Sequence, residues 1–260
     1  YSTTNIQVAG VDEADIVKTD GRFAYLASEN RFYIVDTYSA GEMRVLSSKV
    51  LKGSILGLFV NGDRLAVYES SDSPTIRPMT ESRRSEIAPY YAPQGVNLKI
   101  YDLLTRERPS LLRKYCLQGN YVNSRMIGDW VYTVVTQPAI YHVEDKREVI
   151  LPSIGVDEEI SEVPATRVHY SETSDIPATY TMIVAVNIQA PDEDPKCETI
   201  LTGYATNMYV SQKNMYITMP EGDWWSQKGS TIIHNIAIDG PNIVFQASGD
   251  VPGQALNQFS

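Results

Sequence analysis

Four times along this 260-residue chain an apolar run turns sharply and returns as a second apolar run. "VKTDGRFAYLA" turns at Asp20-Gly21 and "LGLFVNGDRLAVYE" at Asn61-Gly62. "SRMIGDWVYTVV" turns at Gly128-Asp129 and "NMYVSQKNMYITM" around Lys213-Asn214. Asn-Gly and Asp-Gly between apolar runs are hairpin signals, because the tight turn needs positive φ. After each hairpin comes a third run that ends on an apolar residue and then an Asp or Asn: Val35-Asp36, Tyr101-Asp102, Val186-Asn187 and Ile238-Asp239. A fourth run follows. No stretch carries a sustained 3.6-residue apolar period with a capping box, so helices are not expected.

A unit of four short antiparallel strands, repeated in phase, predicts an all-β chain folded as a β-propeller of four-stranded blades. A large β-sandwich would also supply many short strands, but the recurrence of hairpin and Asp at one place in each unit favours the propeller. A WD-type repeat places its Asp similarly. About four blades are expected: blade 1 at about 14–50, blade 2 at about 54–117, blade 3 at about 121–202 and blade 4 at about 206–248. Residues 254–260 are read as the start of the next blade. Four blades close only as an uncommonly small ring, so part of a larger ring is expected, with self-association through open blade edges if the chain stands alone.

The middle loops are unequal. Blade 2 inserts "SSDSPTIRPMTESRRSEIAPYYAPQG", and blade 3 inserts most of Gln137 to Ala178, including "GVDEEISE". Neither insert is expected to pack a core of its own, and long loops on a rigid β scaffold are common places for binding.

"VDEADIVKTDG", residues 11–21, contains D-E-A-D. A helicase would need a G-x-x-x-x-G-K-[ST] loop to cradle the phosphates, and the chain has none. With 22 Lys and Arg against 32 Asp and Glu, the net charge is −10 and the pI about 4.8, which opposes nucleic-acid binding. No apolar run approaches the roughly 18 residues of a membrane span. Cys116 and Cys197 form neither a disulfide framework nor a zinc motif. Both fall in fourth strands of successive blades, which diverge radially, so they are expected not to be bonded to each other.

"QVAGVDEADIVKTDGRFAYLA", "SRMIGDWVYTVVTQPA", "VILPSIG", "TMIVAVNIQAPDEDP" and "VPGQALNQFS" resemble the prokaryotic secreted β-propeller proteins distantly related to WD repeats. The resemblance covers essentially the whole chain, in order. It implies an extracytoplasmic protein, secreted or at the cell surface, whose propeller continues beyond Ser260. It also implies that D-E-A-D marks the first blade, and it supplies no catalytic mechanism.

Two groups of residues are candidate sites. Asp12, Glu13, Asp15 and Asp20 are the densest acidic group. If residues 14–19 form a strand, Glu13 and Asp15 share one face. Calcium is the ion such oxygens would take, although the calcium-loop spacing is absent and turn capping would explain the same residues. No other cofactor is indicated. Trp224 and Trp225, with Glu221 and Asp223 in "PEGDWWSQKG", offer rings that stack on a sugar or aromatic ligand, or that plug a gap between blades. His142, His169 and His234 are scattered, without metal-ligand spacing, and no G-x-S-x-G elbow is present. The leading functional expectation is a non-enzymatic scaffold that binds a protein, peptide or glycan. The alternative is a hydrolase of an extracellular polymer, using carboxylates at the channel mouth that include Asp15 or Glu13.

Overall fold

A computed structural model describes residues 7–38, 41–71, 95–143, 146–170, 179–221 and 229–255. The strands of the first half are β1 (Asp12–Glu13), β2 (Val17–Thr19), β3 (Phe23–Ser28), β4 (Arg31–Asp36), β5 (Arg44–Val50), β6 (Ile55–Asn61), β7 (Arg64–Ser71), β8 (Gly95–Asp102), β9 (Ser110–Gln118), β10 (Asn120–Ile127) and β11 (Trp130–Pro138). They continue as β12 (Ile140–Val143), β13 (Lys146–Val149), β14 (Ser153–Val156), β15 (Glu159–Glu162), β16 (Val168–Tyr170), β17 (Thr179–Asn187), β18 (Lys196–Thr202), β19 (Asn207–Val210), β20 (Asn214–Glu221), β21 (Ser230–Asp239) and β22 (Asn242–Pro252). Among the described residues a 3-10 turn, Ala165–Arg167, interrupts them.

Four antiparallel meanders result: β2-β3-β4-β5, β6-β7-β8-β9, β10-β11-β17-β18 and β19-β20-β21-β22. They are blades 1 to 4. Gly62 and Gly128 each take φ 57° at the first hairpin of blades 2 and 3, the left-handed conformation their turns demand. The Asp or Asn that ends the third strand turns the chain toward the fourth. Asp36 Oδ1 accepts from the Tyr38 amide, Asp102 Oδ1 from the Leu104 amide, and Asn187 Oδ1 from the amides of Gln189 and Ala190. These are Asx turns. Asp36, Asp102 and Asp239 also pair with a cation from the first hairpin of their own blade: Arg22 at 3.5 Å, Arg64 at 2.8 Å and Lys213 at 2.8 Å.

The core lies between blades. Leu65 and Val67 of β7 pack toward blade 1, whereas Ala66 and Tyr68 pack toward blade 3. Val131 and Val135 of β11 face blade 2, whereas Tyr132 and Val134 face blade 4. A strand buried on both faces reads as a nearly continuous apolar run; β7 does so over residues 65–68, and β11 over residues 131–135 with Thr133 interrupting. In β20 only Met215, Ile217 and Met219 enter the core, alternating with less buried residues, because blade 4 is covered on one side. Blade 1 packs on 2, 2 on 3 and 3 on 4, and the four sheets do not close into a ring.

The blade 3 insert is more ordered than the sequence suggests. It forms the hairpin β12-β13, then β14-β15, then β16. β14 adds to β9, extending blade 2 to six strands, and β16 runs parallel to β18 on the outside of blade 3. Ile154 and Val163 reach the core between the two blades. This insert therefore does contribute to a packed core, by lending strands to blades that already have one. The greater part of the blade 2 insert, residues 72–94, lies outside the described residues.

Candidate functional site

The acidic stretch is a belt. Instead of one strand over residues 14–19, the chain makes β1, a single bridge at Asp15 and β2. β1 pairs with β10 of blade 3 in the register Asp12↔Met126 and Glu13↔Arg125. Asp15 then bridges Leu58 of β6 in blade 2, and the chain passes into blade 1 as β2. Upstream, the Ala9 carbonyl accepts from Gln212 Nε2 of blade 4 at 2.9 Å. Residues 9–19 thus meet the first strands of blades 3 and 2 and the first hairpin of blade 4, and enter blade 1 as its own first strand.

Each letter of D-E-A-D has a neighbour that accounts for it. Asp12 Oδ1 accepts from Lys18 Nζ at 2.7 Å, and that ammonium also donates to the Glu13 carbonyl. Glu13 Oε1 lies 3.4 Å from the guanidinium of Arg125, a side chain that is only 2% exposed. Ala14 crosses Gly57, where a Cβ would stand 2.8 Å from the Ala14 Cβ, so both positions need small residues. Asp15 Oδ1 accepts from the Ile16 amide at 2.7 Å. Asp20 belongs to the β2-β3 turn. Burial alone would raise its pKa, but hydrogen bonds from the Phe23 amide, the Tyr25 hydroxyl and the Arg22 amide, with Arg106 nearby, hold it below the ordinary value. Asp12 and Glu13 are therefore each set against a cation, and Asp20 serves the hairpin. Among the described residues no three His, Cys, Asp or Glu side chains come together as a metal site.

Of the second candidate group, Asp223, Trp224 and Trp225 lie outside the described residues, and the Glu221 carboxylate accepts from the Ser230 hydroxyl at 3.3 Å. Among the described residues the histidines join no metal-binding group. The side chain of His142 lies outside the described residues, His169 pairs with Glu198 at 2.7 Å, and His234 is buried with its Nδ1 bonded to the Ser248 hydroxyl. Cys116 and Cys197 are both free thiols; burial pushes Cys197 up to about 11.

The sequence reading missed a large cleft, which opens at the rim between blades 2 and 3 with a volume of about 1040 Å³. Outer strands of neighbouring blades diverge, and here β14 and β15 wall one side of the gap while β18 walls the other. Ile154, Val156, Val163, Pro164 and Pro195 supply apolar surface. Asp157, Glu158, Glu159, Glu162 and Asp194 surround it, with Arg113, Arg167 and Lys196. Arg113 lies 3.2 Å from Asp157, and the lining holds five acidic side chains against three basic ones. "GVDEEISE" signalled the acids, but nothing local signalled that they would be carried onto blade 2. A smaller cleft of about 390 Å³ between blades 3 and 4 is lined by Trp130, Tyr132, Lys213 and Asp239.

The beta propeller domain model matches residues 1–260. The chain belongs to the beta propeller domain family. The propeller is also similar to an uncharacterized protein of Methanocaldococcus jannaschii, 24% identical over 216 residues, which are 83% of this chain and 29% of that one. The chain thus spans less than a third of that relative's length. In the propeller the belt covers first-strand edges of blades 2 and 3, leaving the rim cleft as the larger concave surface.

Proposed function

We propose that this propeller is an extracytoplasmic, non-enzymatic scaffold that binds a protein, peptide or glycan at the rim of blades 2 and 3. The rim cleft carries the reading. It is concave, part apolar and part charged, and framed by strands rather than by loops alone. Sites on rigid elements hold a ligand without first having to order themselves. The belt supports it from the other side. Of Asp15 and Glu13, the carboxylates considered for acid and base chemistry, Glu13 faces the Arg125 guanidinium and Asp15 accepts from the Ile16 amide. The extracytoplasmic placement rests on the family resemblance of the sequence.

Two measurements test it. Intact cells of the source organism, treated with a membrane-impermeant amine label, should label the full-length protein; labelling only after lysis would overturn the placement. Peptide and glycan arrays probed with the purified protein should give ligands whose binding is lost in Val156→Arg, which fills the cleft with a charge. Binding unchanged in that variant would remove the cleft from the proposal.

A further inference from the structure

In blades 1, 2 and 4 the aspartate that ends the third strand faces a cation from the first hairpin of its own blade: Asp36 with Arg22, Asp102 with Arg64 and Asp239 with Lys213. Blade 3 departs from this rule. In blade 2, Arg64 stands opposite Asp102 in register, and the matching pair in blade 3 is Trp130 opposite Asn187. An amide has no charge to neutralise, so the hairpin position can carry an indole in place of a cation. A break in a repeated structural rule is expected where a chain carries function.

The half-buried indole of Trp130 lines the cleft of about 390 Å³ between blades 3 and 4. That volume falls within the roughly 300–1,000 Å³ of small-molecule sites. Hydrogen bonds fix the turns that frame it. Asn61 Nδ2 of blade 2 donates to the Gly128 carbonyl at 3.2 Å and to Asp129 Oδ1 at 2.9 Å. The Tyr132 hydroxyl donates to the Gly240 carbonyl at 2.9 Å, which holds the last turn of blade 4 against blade 3. Gly240 lies so near the ring that a Cβ there would stand 3.3 Å from Trp130 Nε1. Around the indole are Asp129, Gln212, Lys213 and Asp239, drawn from two blades. Lys213 and Asp239 meet at 2.8 Å, yet their side chains are 69% and 73% exposed, so both heads are within reach of a ligand. A frame fixed in advance costs little ordering on binding.

A flat apolar ring bordered by hydrogen-bond donors and acceptors complements a molecule with an apolar C–H face and a rim of hydroxyls. A pyranose has that form. Two carboxylates and one ammonium line the cleft, which disfavours an acidic sugar. We infer that the Trp130 cleft binds a neutral glycan, with a sugar ring lying on the indole and its hydroxyls bonded to Asp129, Lys213 and Asp239. This site is separate from the rim cleft and does not rest on it.

The test titrates the full-length protein by calorimetry with neutral hexasaccharides of glucose, mannose and N-acetylglucosamine, and with a galacturonic acid hexasaccharide as the acidic control. At least one neutral sugar should bind at millimolar concentration or below, and more tightly than the acidic one. Trp130→Ala should weaken that binding about tenfold or more, whereas Trp130→Tyr keeps a ring and should stay within about threefold of wild type. The chain has three tryptophans, so Trp224→Phe with Trp225→Phe leaves Trp130 alone to report. In that variant the sugar should still bind and should shift the indole emission, a readout that decides the matter even if Trp130→Ala fails to fold. Binding of none of the neutral sugars, preference for the acidic one, or binding without an emission shift would each overturn the inference. So would loss of binding in Trp224→Phe with Trp225→Phe, which would assign the sugar to the loop that carries them. Sugar binding lost in Val156→Arg but kept in Trp130→Ala would place the sugar at the rim, leaving the rim reading standing and this one refuted.

Discussion

The ammonium of Lys18 lies 2.7 Å from the carboxylate of Asp12, with the Lys18 side chain 5% exposed and that of Asp12 26%. The pair joins the part of the belt on blade 3 to the part that begins blade 1. Removing one partner of a buried pair strands the other's charge, whereas removing both need not cost stability. Asp12→Ala should therefore lower stability by about 2 kcal/mol, less than for a fully buried pair because Asp12 is partly wet. Asp12→Ala with Lys18→Met should recover much of that loss. Urea unfolding of the single and double variants measures it, and a double variant no more stable than the single would contradict the pairing.

Ala14 and Gly57 make a different, steric demand. A leucine at 57 would force the belt off β6, because its Cβ would already stand 2.8 Å from that of Ala14. Gly57→Leu should cost about 1–3 kcal/mol, the range of overpacked cores. Hydrogen exchange at Leu58 and Asp15, whose main chains bond to each other, should speed up ahead of the rest of the molecule. Uniform acceleration would mean that the belt is not the part displaced.

His234 gives the protein a defined acid sensitivity. Burial lowers its pKa to about 4, against an ordinary value of 6.5. The unfolded chain therefore binds a proton at this position more readily than the folded one. Its contribution to stability is complete above about pH 6.5 and is lost progressively as pH falls toward 4. The loss is at most about 3 kcal/mol. His234→Gln should flatten the stability profile in that window. His169, which also packs against Phe245 and pairs with Glu198, should be replaced in a parallel control. An unchanged slope in His234→Gln would refute the assignment.

The D-E-A-D stretch should be silent toward nucleotides. Asp12 and Glu13 hold Lys18 and Arg125, and the sequence has no phosphate loop. Magnesium-ATP should leave the thermal midpoint unchanged. Stabilisation by nucleotide that disappears in Asp12→Ala would overturn this.

Cys116 pairs in register with Asn97 and Gly155 inside the widened blade 2, and Cys197 pairs with Val184 in blade 3. Thiol titration of denatured, unreduced protein should find both cysteines free. A monomer with no titratable thiol would show a bridge between blades.

Hairpins, third-strand aspartates and doubly apolar middle strands were legible in the sequence because each is local. A turn needs particular φ angles within two residues, Asp36 and Asp102 cap amides only two residues on, and a strand covered on both faces is apolar at most positions. The same locality fixed the antiparallel order within each blade. The role of D-E-A-D was not legible, because Glu13 meets Arg125 and Ala14 meets Gly57 across long separations that no local rule encodes. The acids were visible as a cluster, but only packing put a cation against Asp12 and Glu13 and assigned Asp20 to a separate turn. The rim cleft was hidden for the same reason. "GVDEEISE" shows its charge in one dimension, while the docking of β14 on β9 depends on the backbone edge that blade 2 left open. Main-chain hydrogen bonding at an edge is nearly indifferent to side-chain identity, so tertiary structure alone decided which blade received the insert.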